Sequence, residues 1–400
     1  MTIREIEQAA SRLSSVIHRT PVSSSGTFSQ MSGAELYLKC ENLQKTGSFK
    51  VRGAYNKIAQ LVQQGGISQV VASSAGNHAQ GVAYASSALG IQSTIVMPSG
   101  APLAKIAATE GYGSQVVLFG DCYDDAYQKA LELQETTGAV FVHPFDDEDV
   151  IAGQGTIALE ILRDLPTVDA ILVPAGGGGL LAGVALGIKQ VNPRIQVIGV
   201  QAQGADAIVQ SFNAHQYIAT DSSKTIADGI AVRAPGQITT QLIGQYVDRM
   251  VTVSDDEIAE AILLLLERTK LVVEPAGAAS LAAAINRKVD LSGKRVVCLL
   301  SGGNIDMGFI QKIVERGLVA RGRQLQFHTV LPDTPGTLCS LTGLLGQAGA
   351  NIIMLQHDRR HSDLHLGETV IQVACEVGGS EHGQKVLQLL RKNGYQVVLE

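Results

Sequence analysis

The sequence is short of charge, has no long apolar run and no paired cysteines, and each shortage closes off a class of protein. Charged residues make up 17% of 400 residues, against about 25% in ordinary soluble domains. So low a charge fits a large α/β core or an oligomer that hides surface. The formal net charge is -6 and no long basic run occurs, which argues against nucleic acid as a partner. No apolar stretch approaches the about 18 residues needed to span a bilayer. The greasiest run, residues 262–266, is bounded by Glu260 and Glu267 and belongs inside a globular helix, so no membrane partner is expected. The five cysteines (Cys40, Cys122, Cys298, Cys339, Cys375) are scattered, odd in number and without a Cys-x-x-Cys pair. That is a reduced, cytoplasmic pattern with neither a disulfide framework nor a thiolate zinc site. The N-terminus does not read as a signal peptide; Thr2 and Glu5 are spaced as a capping box on a helix-like pattern.

What is present is a large apolar fraction, 45%, in a chain long enough for two or three domains. From about residue 36 to 301, short apolar runs alternate with helical patterns. The spacing predicts strands at 70–72, 93–97, 116–119, 139–142, 170–173, 197–200 and 295–300, with helices ending near 89 and covering 102–110 and 121–136. Near-continuous apolar strands alternating with helices signal parallel α/β sheets covered on both faces. In such sheets ligands gather at the carboxyl ends of the strands. The pattern changes after Gly317: Arg316, Arg321 and Arg323 sit among small residues and read as a linker over 316–324. Beyond it come strand 325–331, helix 337–348, strands 352–357 and 368–377, helix 381–392 and strand 396–399. That order, βαββαβ, is a compact ferredoxin-like unit and a second module.

The ten residues 44–53, Gln-Lys-Thr-Gly-Ser-Phe-Lys-Val-Arg-Gly, place Lys50 between apolar flanks, Phe49, Val51 and Ala54. A lysine in an apolar pocket loses charge stabilisation, its pKa falls, and its amine can form a Schiff base. Gly176-Gly177-Gly178-Gly179 follows one predicted strand and opens a helix. Backbone amides free of side chains at a helix start make a phosphate cradle. Ser73-Ser74-Ala75-Gly76-Asn77-His78 lies on a similar junction, where amides and hydroxyls can hold a carboxylate. Ser301-Gly302-Gly303-Asn304 puts a hydroxyl at the end of the last core strand. Together these describe pyridoxal phosphate and an amino-acid substrate.

Over nearly all of residues 1–315 the chain resembles the fold-type II pyridoxal-phosphate enzymes of the threonine dehydratase (threonine ammonia-lyase) family. The stretches that carry the resemblance are 45–54, 74–81, 153–156 (Gly-Gln-Gly-Thr), 176–180, 227–229 (Ala-Asp-Gly), Glu274-Pro275 and 301–304, in family order. The resemblance implies a tryptophan-synthase-β-like architecture of two parallel-sheet domains, the smaller, about 50–145, inserted in the larger. It implies a lyase that turns L-threonine into 2-oxobutanoate and ammonia, with L-serine as a side substrate. Lys50 would hold the cofactor and act as the base at Cα, with Ser74 as a second catalytic residue. Asn77 would bond the cofactor's phenolic oxygen, Gly176 to Gly179 its phosphate and Ser301 its ring nitrogen, with Phe49 and Leu180 beside it. Ser74, Ala75, Asn77 and His78 would receive the substrate carboxylate.

Serine racemases resemble the chain too, and with hydroxyaspartate or serine dehydratases they are the alternatives. A racemase, however, carries a serine where this chain has Ala75, and acidic metal ligands where it has Gln201 and Ala207, leaving Asp206 alone. An amino-acid sensor without catalysis is disfavoured by Lys50, the glycine run and Ser301. Residues 325–400 resemble an ACT domain, through Asp333-Thr-Pro-Gly336 and Gly349-Ala-Asn-Ile352. Gly336, Thr337, Asn351 and Ile352 would seat an amino-acid effector, isoleucine or valine, acting through the contacts of a homodimer or homotetramer. His357, His361 and His365 fall around a predicted hairpin rather than on one helix face, so no metal is expected.

Overall fold

The computed structural model describes residues 1–359 and 365–399. It divides into two compact units, Met1–Ile305 and Asp306–Glu400. The first holds two sheets. The larger has the order β1-β2-β10-β7-β8-β9, with β1 (Val22–Ser24), β2 (Glu35–Cys40), β7 (Ala170–Pro174), β8 (Gln196–Ala202), β9 (Arg249–Val253) and β10 (Arg295–Leu300). All neighbours are parallel except β1 with β2. Every residue of β7 is buried, as are all but the first of β8 and β10. Apart from the buried Gln201 of β8, the buried positions of these strands are apolar rather than alternating.

The smaller sheet is parallel, in the order β5-β4-β3-β6, from β3 (Gln69–Ser73), β4 (Gln92–Met97), β5 (Gln115–Leu118) and β6 (Val140–Phe141). Ala54, Ile58, Ala79 and Val82 pack on one face of it and Ala126 and Ala130 on the other, so helices cover both.

Three helices pass behind the two sheets at backbone distance, and glycines permit it. The helix Lys50–Gln64 crosses Glu148–Asp164, where a Cβ on Gly153 would come within 2.5 Å of the Arg52 carbonyl oxygen. The helix Gly179–Val191 crosses the same middle helix, where a Cβ on Gly183 would lie 2.8 Å from the Gly155 nitrogen. Beneath the first crossing Arg52, fully buried, bonds Glu41 at 2.8 Å and Glu160 at 2.7 Å, and buried Lys39 bonds Glu160 at 2.6 Å. Four balanced charges thus share one desolvated cluster.

The second unit begins with the helix Met307–Ala320. An antiparallel sheet follows in the order β12-β13-β11-β14, from β11 (Gln324–Pro332), β12 (Asn351–Asp358), β13 (Glu368–Glu376) and β14 (Val398–Leu399). The helices Thr337–Gln347 and Ser380–Lys392 lie between its strands in sequence, giving the order βαββαβ. Leu341, Leu345, Val386 and Leu390 from the helices close its core over Phe327, Ile371 and Val373.

The expected linker at 316–324 is corrected. Its first half is helical, because the Asp306 side chain caps Phe309 N at 3.1 Å and Ile310, Ile313, Val314 and Leu318 recur at helical spacing. The division between units accordingly falls at 305/306 rather than after 315. The strands β1, β2 and β9 were not among those expected from the apolar pattern. The capping box is present, with Thr2 N donating to Glu5 Oε2 at 2.8 Å.

Candidate active site

Lys50 opens its helix at the end of a loop stitched to the segment after β10. Phe49 N donates to the Ser301 carbonyl at 3.1 Å, Gly303 N donates to Gly47 O at 2.8 Å, and Ser48 bridges Gly302. Two stretches far apart in sequence are thereby fixed side by side. The Lys50 Nζ donates to the Pro144 carbonyl at 2.8 Å and sits 5.4 Å from the Phe49 ring centre. Burial lowers its pKa from 10.5 to about 8, with Glu274 opposing in part. The amine is therefore a nucleophile near neutral pH.

Asn77, the first residue of the helix Asn77–Ala88, donates through Nδ2 to Glu274 Oε1 at 2.7 Å. Its Oδ1 accepts from Asn304 Nδ2 at 2.7 Å, and that amide also donates to Thr46 O at 2.8 Å. Glu274 is only 4% exposed, and burial raises its pKa to about 7 against the pull of Asn77. Ser301 is 2% exposed, and its hydroxyl makes no hydrogen bond with another described residue.

The glycine run turns between β7 and the helix Gly179–Val191. Gly178 has φ of +98°, and a Cβ there would lie 2.8 Å from Thr239 Cβ. A Cβ on Gly176 would come within 2.9 Å of Ile230 Cα, and one on Gly177 would strike the Phe145 ring. Side chains are thus excluded by both backbone conformation and space. The helix has no side-chain cap, and the amides of residues 176–180 have no backbone acceptor among the described residues. Leu180 and Phe49 belong to the same apolar cluster.

The 74–78 loop lies at the carboxyl end of β3. The Ser74 hydroxyl accepts from Gly76 N at 3.2 Å, and Ala75 is half-buried against the small sheet's core. The His78 ring is committed elsewhere. Its Nε2 donates to the Val142 carbonyl at 2.8 Å, its Nδ1 is buried without a partner, and burial with the nearby Lys50 charge lowers its pKa to about 3. His78 therefore has its backbone amide, not a charged ring, to offer a substrate.

In the second unit, Gly336 takes φ of +97° before the helix Thr337–Gln347. The Thr337 hydroxyl bonds the Pro332 and Thr334 carbonyls at 2.9 and 2.7 Å, Asn351 Nδ2 donates to Glu376 at 3.0 Å, and Ile352 packs against the core. At the helix start the Thr337 amide donates to Thr334 O at 3.4 Å and the Gly336 carbonyl accepts from Ser340 N at 3.0 Å. His357 Nε2 lies 3.8 Å from Asp333 Oδ1, and His361 lies outside the described residues. No group of three metal-ligating side chains occurs among the described residues.

Pro144 and Thr239 have no mark in the sequence that singles them out, whereas Glu274 and Asn304 fall in stretches that carry the resemblance but show no role there. Pro144 offers only a carbonyl, and Thr239 and Asn304 act through remote partners. Glu274 reads locally as an acid at the start of the helix Pro275–Ile285, where exposure is the ordinary expectation. The ensemble fits pyridoxal phosphate. Amides without backbone acceptors among the described residues, at an uncapped helix start, can take the phosphate, a buried amine of lowered pKa the aldehyde, and an unpaired buried hydroxyl the ring nitrogen.

The family described as "Pyridoxal-phosphate dependent enzyme" matches residues 13–302. The chain is 48% identical to the L-threonine ammonia-lyase of Thermotoga maritima over 397 residues, 99% of each protein. It is 44% identical over 315 residues to the catabolic L-threonine dehydratase TdcB of Escherichia coli, covering 78% of this chain and 96% of that one. Among solved structures, processed threonine deaminase isoform 2 from Solanum lycopersicum is 36% identical with a TM-score of 0.73, covering 78% of this chain and 88% of that one. Maize serine racemase is 37% identical with a TM-score of 0.75, covering 80% of this chain and 98% of its own.

Proposed function

The chain belongs to the family of pyridoxal-phosphate dependent enzymes, and from that we propose that it is an L-threonine ammonia-lyase, releasing 2-oxobutanoate and ammonia, with L-serine as a lesser substrate. The observation that carries the reading is Lys50: a buried amine of pKa about 8, held at 2.8 Å by the Pro144 carbonyl. The cofactor supplies an electron-withdrawing ring that makes a substrate Cα–H acidic. The remaining work falls to this chain. The amides of residues 176–180 and the helix start behind them hold the phosphate. Phe49 and Leu180 wall the site with apolar surface. Asn77, fixed by Glu274 and Asn304, presents an amide to the phenolic oxygen, and Ser301 a neutral hydroxyl to the ring nitrogen. A neutral partner there suits elimination, in which the β-hydroxyl leaves and negative charge is not stored. The Lys50 amine takes the Cα proton, while the 74–78 loop holds the substrate carboxylate.

Racemisation needs a second acid on the opposite face, and Ala75 has no proton to give. That favours elimination over the activity named for the maize structure. The second unit, whose βαββαβ order is that of an ACT domain, supports a regulatory module for an amino-acid effector. The E. coli relative, which spans 78% of this chain, is consistent with a catalytic part that is complete without it.

The test is a panel of L-threonine, L-serine and hydroxyaspartate offered to the cofactor-loaded protein, with keto acid and ammonia measured. Threonine should give the highest kcat/KM. Keto acid from serine or hydroxyaspartate alone would overturn the assignment.

A further inference from the structure

We propose that Thr239, held in place by Asp146, is the positioning residue of the phosphate cradle. The inference rests on the cofactor and concerns residues outside the glycine run itself. The Gly177 carbonyl accepts from Thr239 Oγ1 at 2.7 Å and from Gly236 N at 3.2 Å. A trans peptide is planar, so its C=O and the following N–H point in opposite directions. Holding the Gly177 carbonyl toward Thr239 therefore turns the Gly178 amide away from it, free to donate to an anion. Thr239 is 0% exposed, so water does not compete for that carbonyl. Its hydroxyl also approaches Gly236 O at 3.1 Å, but it has one proton, and the shorter contact is the one to Gly177.

Thr239 is itself placed from a distance. Its helix, Gln237–Tyr246, follows Gly236 and has no cap from its own segment. The cap comes from Asp146, whose carboxylate accepts from Gln237 N at 3.0 Å and Thr239 N at 3.1 Å. A side chain on Gly236 would collide with that carboxylate. Asp146 N in turn donates to His143 Nδ1 at 2.8 Å, and Pro144, between them, holds Lys50. One short loop thus touches the lysine with one residue and sets the phosphate seat through another.

The experiment compares pyridoxal phosphate with pyridoxal, which lacks the phosphate, by titrating each into the full-length protein stripped of cofactor. Thr239→Val keeps the shape and removes the donor. It should raise Kd for pyridoxal phosphate about tenfold while changing that for pyridoxal less than about twofold. Thr239→Ser should restore the wild-type ratio of the two constants. Asp146→Asn should shift that ratio in the same direction as Thr239→Val. The phosphorus resonance of the bound cofactor should move in Thr239→Val and not in Thr239→Ser. Unchanged phosphate selectivity in Thr239→Val, or equal weakening of both ligands, would overturn the proposal. Failure of the wild-type protein to bind pyridoxal phosphate would instead strike the cofactor assignment beneath it.

Discussion

Gly53 and Gly153 meet backbone to backbone: a Cβ on Gly153 would lie 2.6 Å from the Gly53 Cα. Neither atom can move aside, because each belongs to a buried stretch of helix, one of which starts at Lys50. Gly153→Ala should therefore cost about 1–3 kcal/mol by overpacking. Thermal melts with and without cofactor would reveal it as a lower Tm, and an unchanged Tm would show that the helices can part.

Lys50 should capture the cofactor only as the free amine. With its pKa near 8 instead of 10.5, the capture rate of the stripped protein should climb as pH rises through about 8 and level off above it. Stopped-flow absorbance measures this, and a midpoint near 10 would contradict the buried setting. Lys50→Ala should lose both the covalent link and nearly all threonine deamination.

Glu274 sets a second pH dependence, in stability. Its carboxyl has a folded-state pKa raised from 4.5 to about 7, so the folded state holds the proton longer than the unfolded chain. Its contribution is fully present below about 4.5 and is lost as pH rises through about 7. Glu274→Gln keeps a partner for Asn77 without the charge. Against this variant the cofactor-free wild type should lose about 3 kcal/mol across that window. Denaturant melts at pH 4.5 and 8 check the difference, and parallel stability curves would mean the carboxyl ionises freely.

Wild-type protein acting on L-serine should form D-serine far more slowly than pyruvate, since Ala75 offers no acid. A placed acid or base contributes about 100-fold or more, and Ala75→Ser should raise racemisation toward that scale. Chiral chromatography of residual serine decides it. D-serine from the wild type at a rate comparable with pyruvate would defeat the argument.

A chain ended after Ile305, where the first unit closes, should still deaminate threonine but no longer respond to isoleucine or valine. Effector couplings are typically about 1–3 kcal/mol, so the full chain's response should appear as a roughly 5- to 150-fold change in apparent affinity at most. Identical responses from the two proteins would mean that the second unit serves another purpose.

What could be read from residue order alone was whatever is local. Lys50 declares itself by its flanks, and the glycine run by falling between a buried strand and a helix. The parallel sheets are legible because β7, β10 and residues 197–200 of β8 form apolar runs without alternation. Thr239 was opaque, and Glu274 was legible as part of a motif but not in its role, because both roles come from burial and from partners in distant segments, which no short window contains. Residues 316–320 misled because Arg316, exposed on the helix Met307–Ala320, and the two arginines just beyond it mask the spacing of Ile310, Ile313 and Leu318. The commitment of the His78 ring to the Val142 carbonyl was equally out of reach, since that partner lies 64 residues away.

The position of β10 between β2 and β7 has a consequence for how the protein is made. A ribosome delivers residues 35–40 early and 170–174 midway, yet the strand that joins them is among the last of the first unit to emerge. Until then β2 and β7 each carry an open edge, and the nascent chain holds two half-sheets that cannot close. Ser301 and the segment that braces the loop before Lys50 arrive directly after that same strand. The site is thus complete only once residues 295–304 have emerged, and a chain interrupted before residue 295 carries the reactive lysine without the site that governs it.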